Sequence, residues 1–104
     1  MEKLDFCFPS QPAPRATDPA LCGVVGSGNL EILVQPGAEP LACTISIQTS
    51  ARGFAETWRA VLGSFAASYA AGGTVVAIND MGATPAVVSL RLAQALADYQ
   101  GGAQ

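Results

Sequence analysis

The hydrophobic pattern of this chain changes its period at Gly53, and that change limits the class of fold. From Leu41 to Thr49, apolar and polar residues alternate, which is typical of a β-strand with one buried face. After Gly53, apolar residues recur at helical spacing, namely at Phe54, Trp58, Val61, Leu62, Phe65 and Tyr69. A strand pattern that leads into a helix pattern predicts a sheet with helices packed against it.

Further patterns complete the predicted order of elements. Other strands are predicted around Leu4–Phe8 and over Leu21–Val25, Leu30–Val34 and Thr74–Ile78. The first helix is predicted to end at Gly72-Gly73, and a second to begin after Thr84, with Pro85 at its first position. We therefore expect an α+β fold with a small, mainly antiparallel sheet and two helices packed on one face.

The length of 104 residues suits a single domain spanning 1–104. Residues 9–20 contain four prolines together with Ser, Gln, Thr and Asp, and we expect them to form a flexible, exposed loop. No run approaches the roughly 20 apolar residues that a membrane span needs, and no signal-peptide pattern is present. The sequence thus predicts a cytoplasmic protein that does not insert into a membrane.

The composition argues against several classes of function. The chain has no histidine, so it lacks the commonest general base and the commonest metal ligand. Its three cysteines, Cys7, Cys22 and Cys43, are far apart and form no CxxC pair, so neither a zinc ribbon nor a thioredoxin-like site is predicted, and we expect buried, reduced thiols. The net charge is −3 and the five basic residues form no cluster, which argues against nucleic-acid binding. The low share of charged residues, 12%, favours a surface that faces other protein, and an alanine-rich genome composition is the alternative.

One serine lies in an unusually open setting. Gly26-Ser27-Gly28-Asn29 separates two apolar strand patterns, and this is the sequence of a tight hairpin turn. A hydroxyl between two glycines leaves room for a bulky group to be attached. With no catalytic partner nearby, Ser27 is a better candidate for modification than for nucleophilic catalysis, although a plain turn residue is the simpler alternative.

Two further places in the chain, the Asn79-Asp80 pair and Glu31, are weaker candidates. Asn79 and Asp80 fall in a predicted loop, 79–83, between a strand and a helix, where α/β proteins often place functional carboxylates. The alternative is that Asp80 only hydrogen-bonds the turn. Glu31 follows the hairpin on the return strand, where it would serve partner recognition or simply face solvent.

Two motifs together resemble the acyl carrier (delta) subunit of malonate decarboxylase. They are the run Val25–Leu33, with Ser27 in it, and the run Ile78–Pro85. The resemblance also includes Gly53-Phe54 and Trp58 and extends through the last helix. Where that family commonly has an acidic residue after Gly-Ser-Gly, this chain has Asn29.

The resemblance implies a non-catalytic carrier. Ser27, flanked by Gly26 and Gly28, would carry 2'-(5''-phosphoribosyl)-3'-dephospho-CoA, bound covalently through a phosphodiester. The thiol of this arm would hold acetyl and malonyl groups as thioesters while malonate is converted to acetate and CO2. The implied partners are an acyl transferase (alpha) subunit, decarboxylase (beta and gamma) subunits and a prosthetic-group transferase.

Three alternatives stay open on the sequence alone. A citrate-lyase-type carrier uses the same kind of arm. A non-catalytic interaction module would use the hairpin only for docking. A small enzyme with Asp80 as acid or base is a third possibility, but no second catalytic group is apparent.

Overall fold

The computed structural model describes residues 1–13, 23–27 and 29–100. Within these residues the chain forms five strands and two helices, in the order ββββαβα. They are β1 Glu2–Pro9, β2 Gly23–Ser27, β3 Leu30–Pro36, β4 Ala42–Thr49, α1 Ala55–Ser68, β5 Thr74–Asp80 and α2 Pro85–Tyr99. All five strands belong to one sheet, whose spatial order is β1-β4-β5-β3-β2.

The sheet is mainly antiparallel, with one parallel pair at its centre. β5 pairs with β3 antiparallel and with β4 parallel, and α1 provides the crossover that a parallel pair requires. The edge strands β1 and β2 pair antiparallel with β4 and β3. This arrangement confirms the α+β fold expected from the sequence.

Both helices cover the same face of the sheet. Burial alternates along β4 and β5, so that Ile45, Ile47, Val76 and Ile78 are buried while Ser46 and its outward-facing neighbours are exposed. From the helices, Trp58, Leu62 and Phe65 of α1 and Val88, Leu92 and Leu96 of α2 join these strand residues in one core. A fully buried aliphatic side chain contributes about 1.5–3 kcal/mol, so this single interface accounts for much of the stability.

The strand register places one residue of each strand in a single row at one end of the sheet. Ser27 pairs with Leu30, Leu30 with Asp80, and Asp80 with Thr49, which in turn pairs with Glu2. The five residues therefore form one row across the sheet. The row lies at the end from which the chain enters α1 and α2, so the hairpin and both helix N-termini share that end.

Several element boundaries differ from the sequence prediction. Gly26 and Ser27 lie in β2 and pair with Glu31 and Leu30, so that the connection consists of two residues only. A two-residue connection matches the twist of paired strands better than the predicted four-residue turn. In the same way, β5 extends through Asp80 because its residues keep pairing with β3 and β4, so Asn79 and Asp80 are not in a loop.

Three apolar positions predicted to face the core are exposed. Leu41 is 63% exposed because it precedes β4, in the turn that leads into the strand. Phe54 and Tyr69 are 51% and 47% exposed because they cap the two ends of α1. The helix ends at Ser68 rather than at Gly72-Gly73, and the residues after it turn back toward β1.

The first part of the predicted flexible loop 9–20 is held by hydrogen bonds. Ser10 Oγ donates to the Ala66 carbonyl at 2.7 Å and accepts from the Ala71 N–H at 3.0 Å. Gly72 forms a short parallel bridge, donating to the Gln11 carbonyl at 2.7 Å and accepting from Ala13 at 2.9 Å. These contacts anchor residues 10–13 against the end of α1, whereas residues 14–20 lie outside the described part of the chain.

Alanine substitutions at Gly72 and at Gly63 are expected to change stability in opposite directions. A Cβ at Gly72 would overlap the backbone carbonyls of Ser10 and Pro40, which cannot move without disturbing the bridge. We expect Gly72→Ala to lower the free energy of unfolding by about 1–3 kcal/mol. A Cβ at Gly63, inside α1, would meet only the Phe8 ring, at 3.4 Å. We therefore expect Gly63→Ala to raise the free energy of unfolding by up to about 1 kcal/mol.

Urea unfolding of the two variants beside the unaltered chain measures both changes. Equal stability of Gly72→Ala and the unaltered protein would contradict the close approach at this corner.

Candidate functional site

The β2–β3 hairpin places Ser27 at the last position of β2. Its backbone pairs with Leu30, at the edge of the sheet, and only Gly28 and Asn29 separate the two strands. Gly26 is exposed, and a Cβ built on it would meet no atom within 4 Å. Gly28, the other predicted flanking residue, lies outside the described residues, as does the Ser27 side chain. The described backbone around Ser27 therefore leaves open space at Gly26.

Asp80 is a buried structural carboxylate. It is 3% exposed, and each of its oxygens accepts a hydrogen bond at 2.8 Å, Oδ2 from the Thr49 hydroxyl and Oδ1 from the Ala83 N–H. The Thr49 hydroxyl also accepts from the Ala51 N–H at 3.1 Å. These bonds join the end of β4 to the loop before α2, which is the alternative that the sequence left open for Asp80.

The loop after Asp80 is attached to the hairpin. The Met81 N–H donates to the Asn29 carbonyl at 2.9 Å, and Asn29 lies two residues after Ser27. Gly82 follows with φ +104°, a left-handed conformation that favours glycine. Thr84 then begins α2, its hydroxyl accepting from the Val87 N–H at 3.3 Å, as the sequence predicted.

The remaining polar candidates face the open side of the sheet. Asn79 and Glu31 are exposed and pair with each other across β5 and β3, on the face opposite the helices. Because Glu31 also pairs with Gly26, a carboxylate lies beside the hairpin end on that face. Glu31 is thus positioned to contact a partner that approaches the hairpin, and it is not brought together with Asp80.

An apolar cleft lies between the first turns of the two helices, at the same end of the sheet. We call it the α1/α2 cleft; its volume is about 320 Å3. Its lining consists of Ala51, Phe54, Thr57, Trp58, Val61, Asp80, Gly82, Ala83, Pro85 and Val88. Asp80 is the only titratable side chain in this lining, and both of its oxygens are engaged. The cleft can therefore bind a small apolar group, but it offers no acid–base pair for catalysis.

The cysteines do not form a reactive site among the described residues. Cys43 is buried, and this burial raises the pKa of its thiol, an effect that the hydrogen bond from the Thr74 hydroxyl partly opposes. The expectation of buried thiols is wrong for Cys7, which is exposed because it lies on the open face of β1, and Cys22 lies outside the described residues. In the described part of the chain, no three Cys, Asp or Glu side chains are grouped as metal ligands. No described helix combines the length and apolar character needed to cross a bilayer.

Comparison with known proteins identifies the family of this chain. Residues 17–99 match the family model of the malonate decarboxylase delta subunit. The chain belongs to this family of acyl carrier proteins. It is 48% identical over 101 residues to the malonate decarboxylase acyl carrier protein of Acinetobacter calcoaceticus, covering 97% of this chain and 99% of that protein. It is 53% identical over 98 residues to that of Burkholderia cepacia, covering 94% and 90%. The resemblance inferred from the two sequence motifs is confirmed.

A solved structure shares the fold of this family member. It is a Pseudomonas malonate decarboxylase hetero-tetramer in complex with malonate, and one of its chains superposes with a TM-score of 0.77 at 36% identity. The match covers 92% of this chain and 96% of that chain. The carrier fold described above is therefore one that occurs within an assembled decarboxylase.

Sequence reasoning missed the α1/α2 cleft and the Thr49–Asp80 bond. A signal for the bond was present, because Thr49 continues the inward phase of Cys43, Ile45 and Ile47. A polar residue at an inward position needs a buried partner. The cleft had no comparable signal, since it depends on how far apart the first turns of the two helices lie.

Asp80 is expected to matter for stability rather than for chemistry. Asp80→Ala leaves the Thr49 hydroxyl and the Ala83 N–H without their acceptor, and hydrogen bonds to charged groups contribute about 1.5–3 kcal/mol each. We expect a loss of about 3–6 kcal/mol in the free energy of unfolding, measured by urea denaturation. Asp80→Asn should lose less, because its carbonyl oxygen can still accept from Ala83.

The exposed Asp98 near the end of α2 provides the control. Asp98→Ala should leave stability unchanged or slightly higher, since an acidic residue near a helix C-terminus is unfavourable. If Asp80→Ala unfolded at the same urea concentration as Asp98→Ala, the structural role of Asp80 would be refuted.

The two described cysteines should differ in their reactivity. Alkylation of the folded chain with iodoacetamide at pH 8, followed by peptide mapping, should label Cys7 readily and Cys43 only after denaturation. The reason is that Cys43 is buried and its raised pKa reduces the thiolate fraction. Rapid labelling of Cys43 in the folded protein would show that this part of the core opens.

Proposed function

We propose that this chain is the acyl carrier subunit of a malonate decarboxylase and that Ser27 bears its prosthetic arm. The observation that supports this most directly is the position of Ser27. It is the last residue of an edge strand, next to an exposed glycine, inside the stretch that matches the carrier family. Membership of the family accounts for the non-catalytic role, since the transfer and decarboxylation steps would belong to other subunits.

The described residues around Ser27 fit a large covalent group. A Cβ at Gly26, just before Ser27, would meet no atom within 4 Å, and Asn29, two residues after Ser27, is exposed. The pairing with Leu30 and the bond from Met81 to Asn29 hold the hairpin end in place. An attachment point at the end of a paired edge strand would allow a transferase to enclose the hydroxyl without unfolding the strand. This setting suits 2'-(5''-phosphoribosyl)-3'-dephospho-CoA, the arm that the family resemblance implies.

Attachment requires only the hydroxyl from this chain. Ser27 Oγ would form an ester bond to the phosphorus of an activated donor, while the bond from phosphorus to the donor's leaving group breaks and its electron pair departs with that group. The hydroxyl proton would pass to a base of the prosthetic-group transferase. The absence of histidine in this chain is therefore compatible with the reaction.

When attached, the arm supplies a thiol that holds acyl groups as thioesters, whose carbonyl can accept the charge left by departing CO2. The net reaction of the complex would be malonate plus a proton giving acetate and CO2. The chain itself would contribute a tether that keeps the acyl group near each active site at an effective concentration on the order of millimolar. None of its own cysteines is needed for this role.

The partners of this carrier would be the acyl transferase (alpha) subunit, the decarboxylase (beta and gamma) subunits and the prosthetic-group transferase. Glu31, exposed beside the hairpin, offers a charge that such partners can recognise. Asn29 has no charge at the position next to Gly28, so electrostatic recognition at the hairpin would depend on Glu31. We place these steps in the cytoplasm.

Replacement of Ser27 tests the function. In cells that decarboxylate malonate, the unaltered chain should carry a mass increment equal to the arm or its acetyl thioester, localised to the Ser27 peptide by mapping. Ser27→Ala should lack the increment and abolish decarboxylation by the complex, because the substitution removes the hydroxyl to which the arm is proposed to be attached. Its urea unfolding curve should match that of the unaltered chain.

A matched serine on α2 serves as the control. Ser89 is exposed, so Ser89→Ala should keep both the increment and the activity. An unmodified Ser27 in cells with active malonate decarboxylation, or full activity of Ser27→Ala, would refute the carrier role and favour an interaction module.

A further inference from the structure

The α1/α2 cleft lies within easy reach of the hairpin end. Asp80 belongs both to the cleft lining and to the row of residues that ends at Ser27, with only Leu30 between them. Neighbouring strands lie about 4.8 Å apart, so the Cα atoms of Ser27 and Asp80 are separated by about 10 Å. An arm that carries a nucleotide and a pantetheine chain is long enough to fold back over this distance.

The wall of the cleft is continuous with the hairpin. Asp80, Gly82 and Ala83 form part of that wall, and the Met81 N–H between them is bonded to the Asn29 carbonyl at 2.9 Å. The Met81 side chain is 60% exposed, so an apolar surface lies beside the connection between the hairpin and the cleft. Phe54, 51% exposed, lies on the α1 side of the same cleft.

The lining favours a small, uncharged group. Phe54, Trp58, Val61, Pro85 and Val88 supply apolar surface, and the two oxygens of Asp80 are already engaged. The volume of about 320 Å3 is at the lower end of the range for small-molecule sites, roughly 300–1,000 Å3. It suits an acyl thioester and the adjoining part of its stem, and the aromatic ring of Trp58 is a favourable neighbour for sulfur.

We propose that the α1/α2 cleft holds the acetyl-thioester end of the arm between reaction cycles. This inference rests on the attachment of the arm to Ser27 proposed above. Docking in the cleft would shield the thioester from water and from stray nucleophiles until a partner subunit draws it out. It assigns a role to residues that the attachment step does not use, above all Thr57, Trp58 and Val61.

The same cleft should reject the malonyl form. The N-termini of α1 and α2 each contribute roughly half a positive charge, and the Asp80 carboxylate next to them contributes one negative charge, so the two effects nearly cancel. Little attraction is left to offset the loss of hydration of the free malonyl carboxylate, and burying an unpaired carboxylate is strongly unfavourable. The malonyl arm would therefore remain outside, available to the decarboxylase.

The reaction of the thioester with hydroxylamine measures this protection. The full-length carrier is prepared with its arm acetylated or malonylated, and the release of the thiol is followed over time. Thr57→Phe places an aromatic ring in the cleft, and Ala60→Phe places the same ring on an exposed position of α1 outside the lining. We expect the acetyl thioester to react about threefold faster, or more, in Thr57→Phe than in the unaltered chain, because only undocked arms react. Ala60→Phe should match the unaltered chain.

Trp58, the only tryptophan of the chain, gives a second readout that does not depend on reactivity. Its single indole N–H signal in a proton–nitrogen NMR spectrum should shift when the arm is acetylated. The signal should stay in place when the arm is malonylated, and also when Thr57→Phe is acetylated.

Two results separate the failure of this inference from that of the proposed function. An arm detected on Ser27 by intact mass, with equal hydroxylamine rates in all three chains and an unmoved indole signal, would overturn the docking and leave the carrier role intact. A chain with no arm on Ser27 would overturn both.

Discussion

The pairing of β5 on both of its edges is the constraint on which the rest of this structure depends. Its hydrogen bonds to β4 on one side and to β3 on the other join the crossover through α1 to the β2–β3 hairpin. Val76 and Ile78 occupy the middle of the core because β5 is the central strand. Since pairing continues as far as Asp80, the end of this one strand determines where the hairpin, the loop and both helix N-termini meet.

At this end of the sheet, Asp80 has a structural role, whereas the arm is proposed to be attached to Ser27. Asp80 links the end of β4 to the loop before α2, and its two oxygens are engaged in doing so. A carboxylate held in this way stabilises the corner. Such a division suits the carrier role proposed above, in which the attachment point would stay in a defined position while the chemistry takes place on other subunits.

The predictions from sequence succeeded where a local pattern and the tertiary structure agreed. Alternation in β4 and the N-cap at Thr84 correctly located a strand and a helix start, because both depend on neighbouring residues. Phe54 and Tyr69 fit the helical stripe of α1 equally well, yet they are half exposed. Periodicity describes an angle around a helix axis, and it does not say where the helix stops or where the sheet beneath it ends.

The same distinction between local pattern and tertiary structure applies to the candidate site. The sequence by itself determined the two-layer α+β class, the position of Ser27 between two glycines and the family, since these depend on residue type and spacing along the chain. Only the tertiary structure decided that Asp80 is buried beneath Thr49 and Ala83, that the loop after it is bonded to Asn29, and that an apolar cleft lies beside them. The physical reason is that these features arise from strand register and helix placement, which bring together residues from separate parts of the chain.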